Sequence, residues 1–145
     1  MAVRVARASE SELEVARAIR RTVFVEEQSV PAEVEVDGLD GSAEHYLARL
    51  GPLPVATARC RQTAKGWKIE RVAVLGTQRG LGVGKALVGF ILADVLAKTP
   101  PQTPIYVHAQ AGALGFWERA GFIAEGPTFE EGGITHRWMR FARST

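Results

Sequence analysis

The sequence has a single cysteine, no long apolar run and almost no net charge. With Cys60 alone, an intramolecular disulfide and a cysteine-based zinc site are excluded. Cys60 ends the apolar run 55–60, which predicts a buried and unreactive thiol. No stretch approaches the roughly 20 apolar residues of a membrane-spanning helix, and the first residues lack the apolar segment of a secretory signal. We therefore expect a cytoplasmic protein without a membrane partner.

Basic residues are absent from one part of the chain. Residues 22–48 contain no Lys or Arg, but they include seven acidic residues: Glu26, Glu27, Glu33, Glu35, Asp37, Asp40 and Glu44. The pattern suits either a solvated acidic loop or an acidic surface that attracts a cationic ligand. The net charge of +2 is too small to favour a nucleic-acid partner. The spacing of His45 and His136 is not typical of a metal site, so no metal is expected.

The chain length of 145 residues predicts one domain, residues 1–145. Apolar spacing predicts the element order β-α-β-β-β-α-β-α-β-β, a mixed α/β fold. A capping box of Ser9 and Glu12 begins a helix over residues 10–23, and the acidic stretch that follows is mostly loop. The other predicted helices run from Gly84 to before Pro100 and over residues 113–120. The predicted strands cover residues 3–5, 46–50, 55–61, 67–75 and 105–109, with a final hairpin from Phe129 through 134–141.

The most informative segment is residues 72–85, in which a strand enters a loop with glycines at 80, 82 and 84 and a helix follows. Glycine allows positive φ angles and close approach of the backbone to a ligand. The first N–H groups of a helix lack intrahelical partners and attract anions. Arg79 and Lys85 add positive charge, so this loop predicts a phosphate or pyrophosphate site.

Two common phosphate-binding motifs do not fit this spacing. A Walker A loop needs four residues between its first glycine and Gly-Lys, but only three separate Gly80 from Gly84. Ala86 also stands where that motif requires Ser or Thr. The dinucleotide fingerprint fails because Lys85 and Leu87 occupy the positions of its last glycine.

Residues 79–84, Arg-Gly-Leu-Gly-Val-Gly, do match the (Q/R)xxGx(G/A) element of the GNAT superfamily of N-acetyltransferases. Residues 110–122 resemble a second element of that superfamily, NxxAxxxYxxxGF, with Gln110 replacing Asn and Trp117 replacing Tyr. Residues 23–45, with Val30-Pro31, resemble its ElaA/YjcF-like branch. The resemblance thus covers nearly the whole chain.

This resemblance implies a mostly antiparallel mixed sheet, flanked by helices, in which a central parallel strand pair separates as a wedge. It further implies acetyl-CoA as cosubstrate, with pantetheine along the wedge strand and pyrophosphate on the glycine loop. The positions that match cofactor contacts are Val72, Ala73, Val74, Arg79, Gly80, Leu81, Gly82, Val83, Gly84, Lys85, Gln110, Ala113 and Trp117. Homodimers are frequent among such proteins, so a homodimer is a further expectation.

The implied reaction is direct attack of a primary amine on the acetyl thioester. The acceptor could be a small metabolite, a polyamine-like cation or a protein amino group, and a small molecule is expected. Glu70 lies on the wedge strand and is the candidate base, although a surface carboxylate paired with Lys68 or Arg71 explains it equally. The family's tyrosine would protonate the departing CoA thiolate, but the indole of Trp117 cannot deliver a proton at neutral pH. His108 and Tyr106 are the candidates for this general acid. The same departure leaves a non-catalytic acyl-CoA sensor as the alternative function.

Overall fold

The computed structural model describes residues 2–143, in which seven strands form one sheet of order β1-β2-β3-β4-β5-β7-β6. The parallel neighbours are β4 and β5, and the other neighbouring strands run antiparallel. The strands are β1 (Val3–Arg7), β2 (Glu44–Leu50), β3 (Leu53–Thr63), β4 (Gly66–Val74), β5 (Ile105–Gln110), β6 (Phe122–Glu131) and β7 (Ile134–Phe141). The predicted mixed sheet with a central parallel pair is confirmed.

The helices are α1 (Leu13–Arg20), α2 (Ala32–Glu35), α3 (Val83–Lys98) and α4 (Leu114–Arg119). The Glu12 carboxylate accepts a hydrogen bond from the Ser9 N–H at 2.9 Å, as the predicted capping box requires. Helical winding continues in a wider π-type turn over Arg21–Glu27, past the predicted end at residue 23. Helix α2 adds a helical turn within the acidic stretch. None of the helices within residues 2–143 is long and apolar enough to span a bilayer.

The sheet carries a core on each face. Tyr46 and Ala48 of β2 face the larger core, which includes the buried side chains of α3 and α4. Leu47, between them, faces a smaller core built with α1. This alternation is the period of two expected of a strand that is covered on both sides. Cys60 is fully buried in the larger core, and this burial raises the pKa of its thiol to about 12. The prediction of a buried thiol is confirmed.

The last hairpin is longer than predicted, because β6 begins at Phe122 rather than near Phe129. Its pairing with β7 is interrupted between Glu125 and Thr128, where Gly126 and Pro127 form a bulge. Proline has no N–H for a sheet hydrogen bond, so a bulge lets the strand continue past it. Gly121 ends α4 with φ +100°, as predicted.

The acidic stretch is exposed over most of its residues, as expected of a solvated loop, but ion pairs bind it to the sheet. Arg20 and Arg59, each at most 1% exposed, hold it against the sheet. Arg59 hydrogen-bonds Asp37 and Asp40 at 2.7–2.9 Å, and Arg20 binds Glu35. Five of the seven acidic residues are paired with cations: Glu27, Glu35, Asp37, Asp40 and Glu44. The negative charge that could attract a cationic ligand is therefore largely neutralised by the protein's own cations.

Replacing Arg59 with Met should lower the free energy of unfolding by about 3–5 kcal/mol, because it removes the buried cation whose hydrogen bonds join Asp37, Asp40 and Glu70. Urea unfolding measures the loss. Arg140→Met is the matched control: its pair with Glu125 joins two side chains that are 44% and 45% exposed, and such pairs contribute about 1 kcal/mol or less. Equal losses in both variants would show that the buried network does not stabilise the fold.

Candidate active site

A cavity of about 600 Å³ lies where β4 and β5 separate. The two strands pair only from Trp67 to Ile69 on β4, against residues 105–107 on β5. Beyond Ile69, β4 continues along β3, whereas β5 continues along β7. The sheet therefore has an opening in its middle. The cavity lining includes side chains of the α3/α4 core and of the α1 core, so the cavity connects both faces.

A β-bulge in β4 stands beside this opening. Arg71 and Val72 together oppose Ala58 of β3, so the register shifts by one residue. Arg71 has φ +54°, a left-handed conformation that is unfavourable for a residue other than glycine. Its guanidinium donates to Glu35 at 2.9 Å and to Asp37 at 3.2 Å, which holds the strained turn in place.

On the α3/α4 face, the cavity is lined by residues that the resemblance assigned to the cofactor: Val72, Val74, Gly84, Ala113 and Trp117. The glycine loop stands beside them. Gly80 and Gly82 have φ +82° and +78°, so both positions require the freedom of glycine. The first helical bond of α3 runs from Ala86 N–H to Gly82 carbonyl. The preceding N–H groups of the helix therefore have no intrahelical partner, which fits a pyrophosphate group.

Gly84 allows α3 to pack closely against α4. A Cβ at this position would lie 3.1 Å from Phe116 of α4, so glycine lets the two helices approach beside the cavity. Ala73 and Val83 have buried side chains, and only their backbones could contact a cofactor. The side chains of Leu81 and Lys85 are exposed on the loop.

Arg79 connects the loop to two other elements. Its guanidinium donates to the Val74 carbonyl at 3.0 Å and to Glu27 at 2.8 Å. The hydrogen bond from Arg79 lowers the pKa of Glu27. The side chain thus spans the edge of the cavity between β4 and the end of the first helical segment.

On the α1 face, the cavity lining is polar and includes Arg61, Lys68, Glu70, His108, Gln110, Glu131 and His136. The Gln110 amide donates to the Gln28 side chain at 2.9 Å, which links the end of β5 to the helical segment opposite. Tyr106 stacks on Trp138 and shares a 2.6 Å hydrogen bond with Thr63. It does not line the cavity formed by residues 2–143.

Glu70 is buried and bound by three cations. Its carboxylate accepts from Arg59 at 2.7 Å and from Arg61 at 2.6 Å, and it lies 3.1 Å from the Lys68 ammonium. Burial alone would raise the pKa of Glu70, but the Arg61 hydrogen bond and the neighbouring positive charges lower it to about 2. The pairing with Lys68 agrees with the alternative expectation of an ion-paired carboxylate. The carboxylate is buried rather than at the surface, however, and Arg71 binds Glu35 instead. Such a group is ionised but only weakly basic.

His108 is held by a carboxylate that the sequence interpretation did not select. Its Nδ1 lies 2.9 Å from Glu131, and its ring packs edge-on to Phe129 at 5.0 Å. The hydrogen bond with His108 lowers the pKa of Glu131. The Nε2 atom makes no hydrogen bond to any part of the chain between residues 2 and 143. Glu131 looked like part of a hairpin turn, and no local signal related it to His108.

Trp117 is 6% exposed and packs edge-on against Phe116 and Phe122. Its indole borders the cavity as an apolar wall. Within residues 2–143, no group of three or more His, Cys, Asp or Glu side chains could hold a metal ion.

The chain resembles known proteins over nearly its whole length. Residues 6–143 match the family model described as an acetyltransferase (GNAT) domain. The chain is 33% identical to the uncharacterized N-acetyltransferase YjcF of Bacillus subtilis, over 90% of this chain and 93% of that protein. It is 33% identical to protein ElaA of Escherichia coli, over 90% of this chain and 88% of that protein.

Solved structures agree with these relatives. The crystal structure of Escherichia coli ElaA matches with a TM-score of 0.85 and 30% identity, over 97% of this chain and all of that one. An acyl-CoA N-acyltransferase from Pseudomonas aeruginosa matches with a TM-score of 0.82 and 30% identity, over 98% of this chain and all of that one. With its separated parallel strands and glycine loop, the chain therefore belongs to the GNAT family of acyl-CoA-dependent N-acyltransferases, in the branch of ElaA and YjcF.

Proposed function

We propose that this protein transfers an acetyl group from acetyl-CoA to the primary amine of a small molecule by direct attack. One observation carries the proposal: the cavity joins a loop with free helix N–H groups on one face of the sheet to a carboxylate-bound imidazole on the other. A thioester in the opening could thus be reached by an amine from the opposite face.

Acetyl-CoA would enter from the α3/α4 face. Its pyrophosphate would bind the N–H groups of residues 80–85, and its pantetheine would follow the backbone of Val72 and Val74. Trp117 would form an apolar wall beside the thioester. The Arg79 side chain, which now binds the Val74 carbonyl and Glu27, would turn toward the phosphates and neutralise part of their charge.

One side chain could both accept and return the proton that moves during acyl transfer. Most of an alkylamine is protonated at neutral pH and cannot attack, so the ammonium must first lose one proton to solvent. In its neutral form, His108 would donate Nδ1–H to Glu131 and leave Nε2 as the acceptor. As the C–N bond forms, Nε2 would accept the second proton that the amine nitrogen must lose. As the C–S bond breaks, Nε2 would return that proton to the CoA thiolate. Residue 117 would then not have to protonate the thiolate, so a tryptophan can stand there.

The role of Glu70 as a base remains a prediction with a weaker physical basis. Three cations bind its carboxylate and lower its pKa to about 2, so accepting a proton would break strong hydrogen bonds. We assign it to holding Arg61 and Lys68 in the cavity instead. An unchanged pH–rate profile in Glu70→Gln would remove it from the proton transfer.

The direct test is acetyl-CoA consumption with a panel of primary amines, followed as free thiol and as acetylated product. We expect thiol and acetylated amine to form in equal amounts. Binding of acetyl-CoA without turnover of any amine would instead support a sensor, in which Trp117 closes a binding site that has no chemistry.

A further inference from the structure

Arg61 and Lys68 place positive charge on the α1 face of the cavity, where the amine acceptor would bind. This charge exceeds what is required to neutralise the Glu70 carboxylate. Glu70 is already bound by Arg59, which is fully buried and hydrogen-bonded to it at 2.7 Å. Arg61 and Lys68 are two further cations on the same single negative charge. Their side chains are 18% and 12% exposed, and both line the cavity.

The surrounding ion pairs do not absorb this surplus. In the network joined by these contacts, six cations (Arg17, Arg20, Arg59, Arg61, Lys68 and Arg71) face five carboxylates (Glu14, Glu35, Asp37, Asp40 and Glu70). Glu14 lies on the exposed surface of α1, 76% exposed, far along the network from the cavity. Among direct ion pairs, the excess cation lies at the Arg61–Lys68 end. Arg61 Nη1 makes no hydrogen bond within residues 2–143, and Lys68 Nζ pairs there with Glu70 alone.

The opposite sign of charge stands close by. Glu131, which is hydrogen-bonded to His108, lies on the same side of the sheet. The positive charge of Lys68 contributes to lowering the pKa of the Glu131 carboxylate. An acceptor with an ammonium and an acidic group could place its amine at His108 and Glu131, and its anion on Arg61 and Lys68. Arginine and lysine bind carboxylate and phosphate groups through strong charge-assisted hydrogen bonds.

We propose that the acceptor is a small amine that also carries an anionic group, as in an amino acid, and that Arg61 and Lys68 bind this group. The inference rests on the proposed acetyl transfer. It adds that the site discriminates between amines by an acidic substituent, and that the paired cations are specificity residues rather than parts of a purely structural network.

The test uses pairs of acceptors that differ only by a carboxylate: phenylalanine and phenethylamine, histidine and histamine, lysine and cadaverine. The wild type should acetylate the acid of at least one pair with a kcat/KM at least about tenfold higher than that of its amine. Arg61→Gln and Lys68→Gln should each raise the KM for that acid about 10- to 100-fold, with little change for the amine. Turnover of the amine also shows that each variant is folded.

Lys65→Gln is the matched control, because Lys65 stands 5.3 Å from the Trp138 ring but does not line the cavity. It should change neither reaction. Equal rates for acid and amine in the wild type, or equal losses for both in the variants, would overturn the inference while leaving the acetyl transfer intact. Weaker acetyl-CoA binding in the variants would also overturn it, since the cations would then bind the cosubstrate. Acetyl-CoA binding without any turnover would instead refute the proposed function.

Discussion

Replacing Gly82 with Trp is expected to weaken acetyl-CoA binding at least about 100-fold, which corresponds to about 2.8 kcal/mol. Gly82 is the N-cap of α3, and nothing lies within 4 Å of the position that its Cβ would occupy. An indole there would fill the space over the free N–H groups, where phosphate oxygens must approach within hydrogen-bonding distance. Calorimetric titration with acetyl-CoA and with CoA measures the effect, and both ligands should lose affinity because they share the pyrophosphate.

Gly89→Trp is the matched control. Gly89 lies on the same helix, is exposed and has open space around it, but it stands beyond the loop. This variant should bind acetyl-CoA as the wild type does. A tryptophan at the φ +78° of Gly82 also costs about 1–2 kcal/mol of backbone strain, so thermal unfolding should confirm that both variants are folded. Unchanged affinity in a folded Gly82→Trp variant would place the pyrophosphate elsewhere.

Replacing His108 with Gln is expected to reduce kcat about 10²- to 10⁴-fold, the usual contribution of a positioned general base. A glutamine can still hydrogen-bond Glu131 but cannot exchange a proton. Initial rates of the wild type and the variant, measured at saturating acetyl-CoA, test the prediction.

Two controls separate this role from a structural one. Acetyl-CoA affinity should be unchanged in His108→Gln, because the ring lies on the acceptor side of the cavity. His45→Gln should keep the wild-type rate, because His45 is buried against the Asp40 carbonyl and does not line the cavity. If His108→Gln keeps the wild-type rate and Glu70→Gln loses it, the base is Glu70.

The glycine loop was predictable because its signal is local. A strand, a turn with positive φ angles and a helix N-terminus all lie within residues 72–85, and this backbone arrangement alone is suited to bind an anion. The strands and helices followed from apolar spacing for the same reason, with errors at their ends. The longest error, the start of β6 at Phe122, arose because Gly126-Pro127 is accommodated by a bulge within a paired strand.

Apolar spacing along the chain could not predict which side chains from distant segments contact each other. The acidic stretch looked available to solvent, but arginines from α1, β3 and β4 bind it. The partner of His108 is 23 residues away and comes from the end of another strand. Glu70 looked like a base on the wedge strand, yet the arginine opposite it on β3 and two neighbouring cations make it strongly acidic.

The sequence by itself therefore determined the family, the order of elements and the loop suited to a pyrophosphate, because these depend on neighbours along the chain. Only the tertiary structure decided which cavity side chains are paired with opposite charges and which can accept a proton. Arg59 and Arg61 reach Glu70 through the pairing of β3 with β4, and Glu131 reaches His108 through the final hairpin. Proton affinity depends on which charges lie within a few ångströms, and that arrangement is set by how the strands pair.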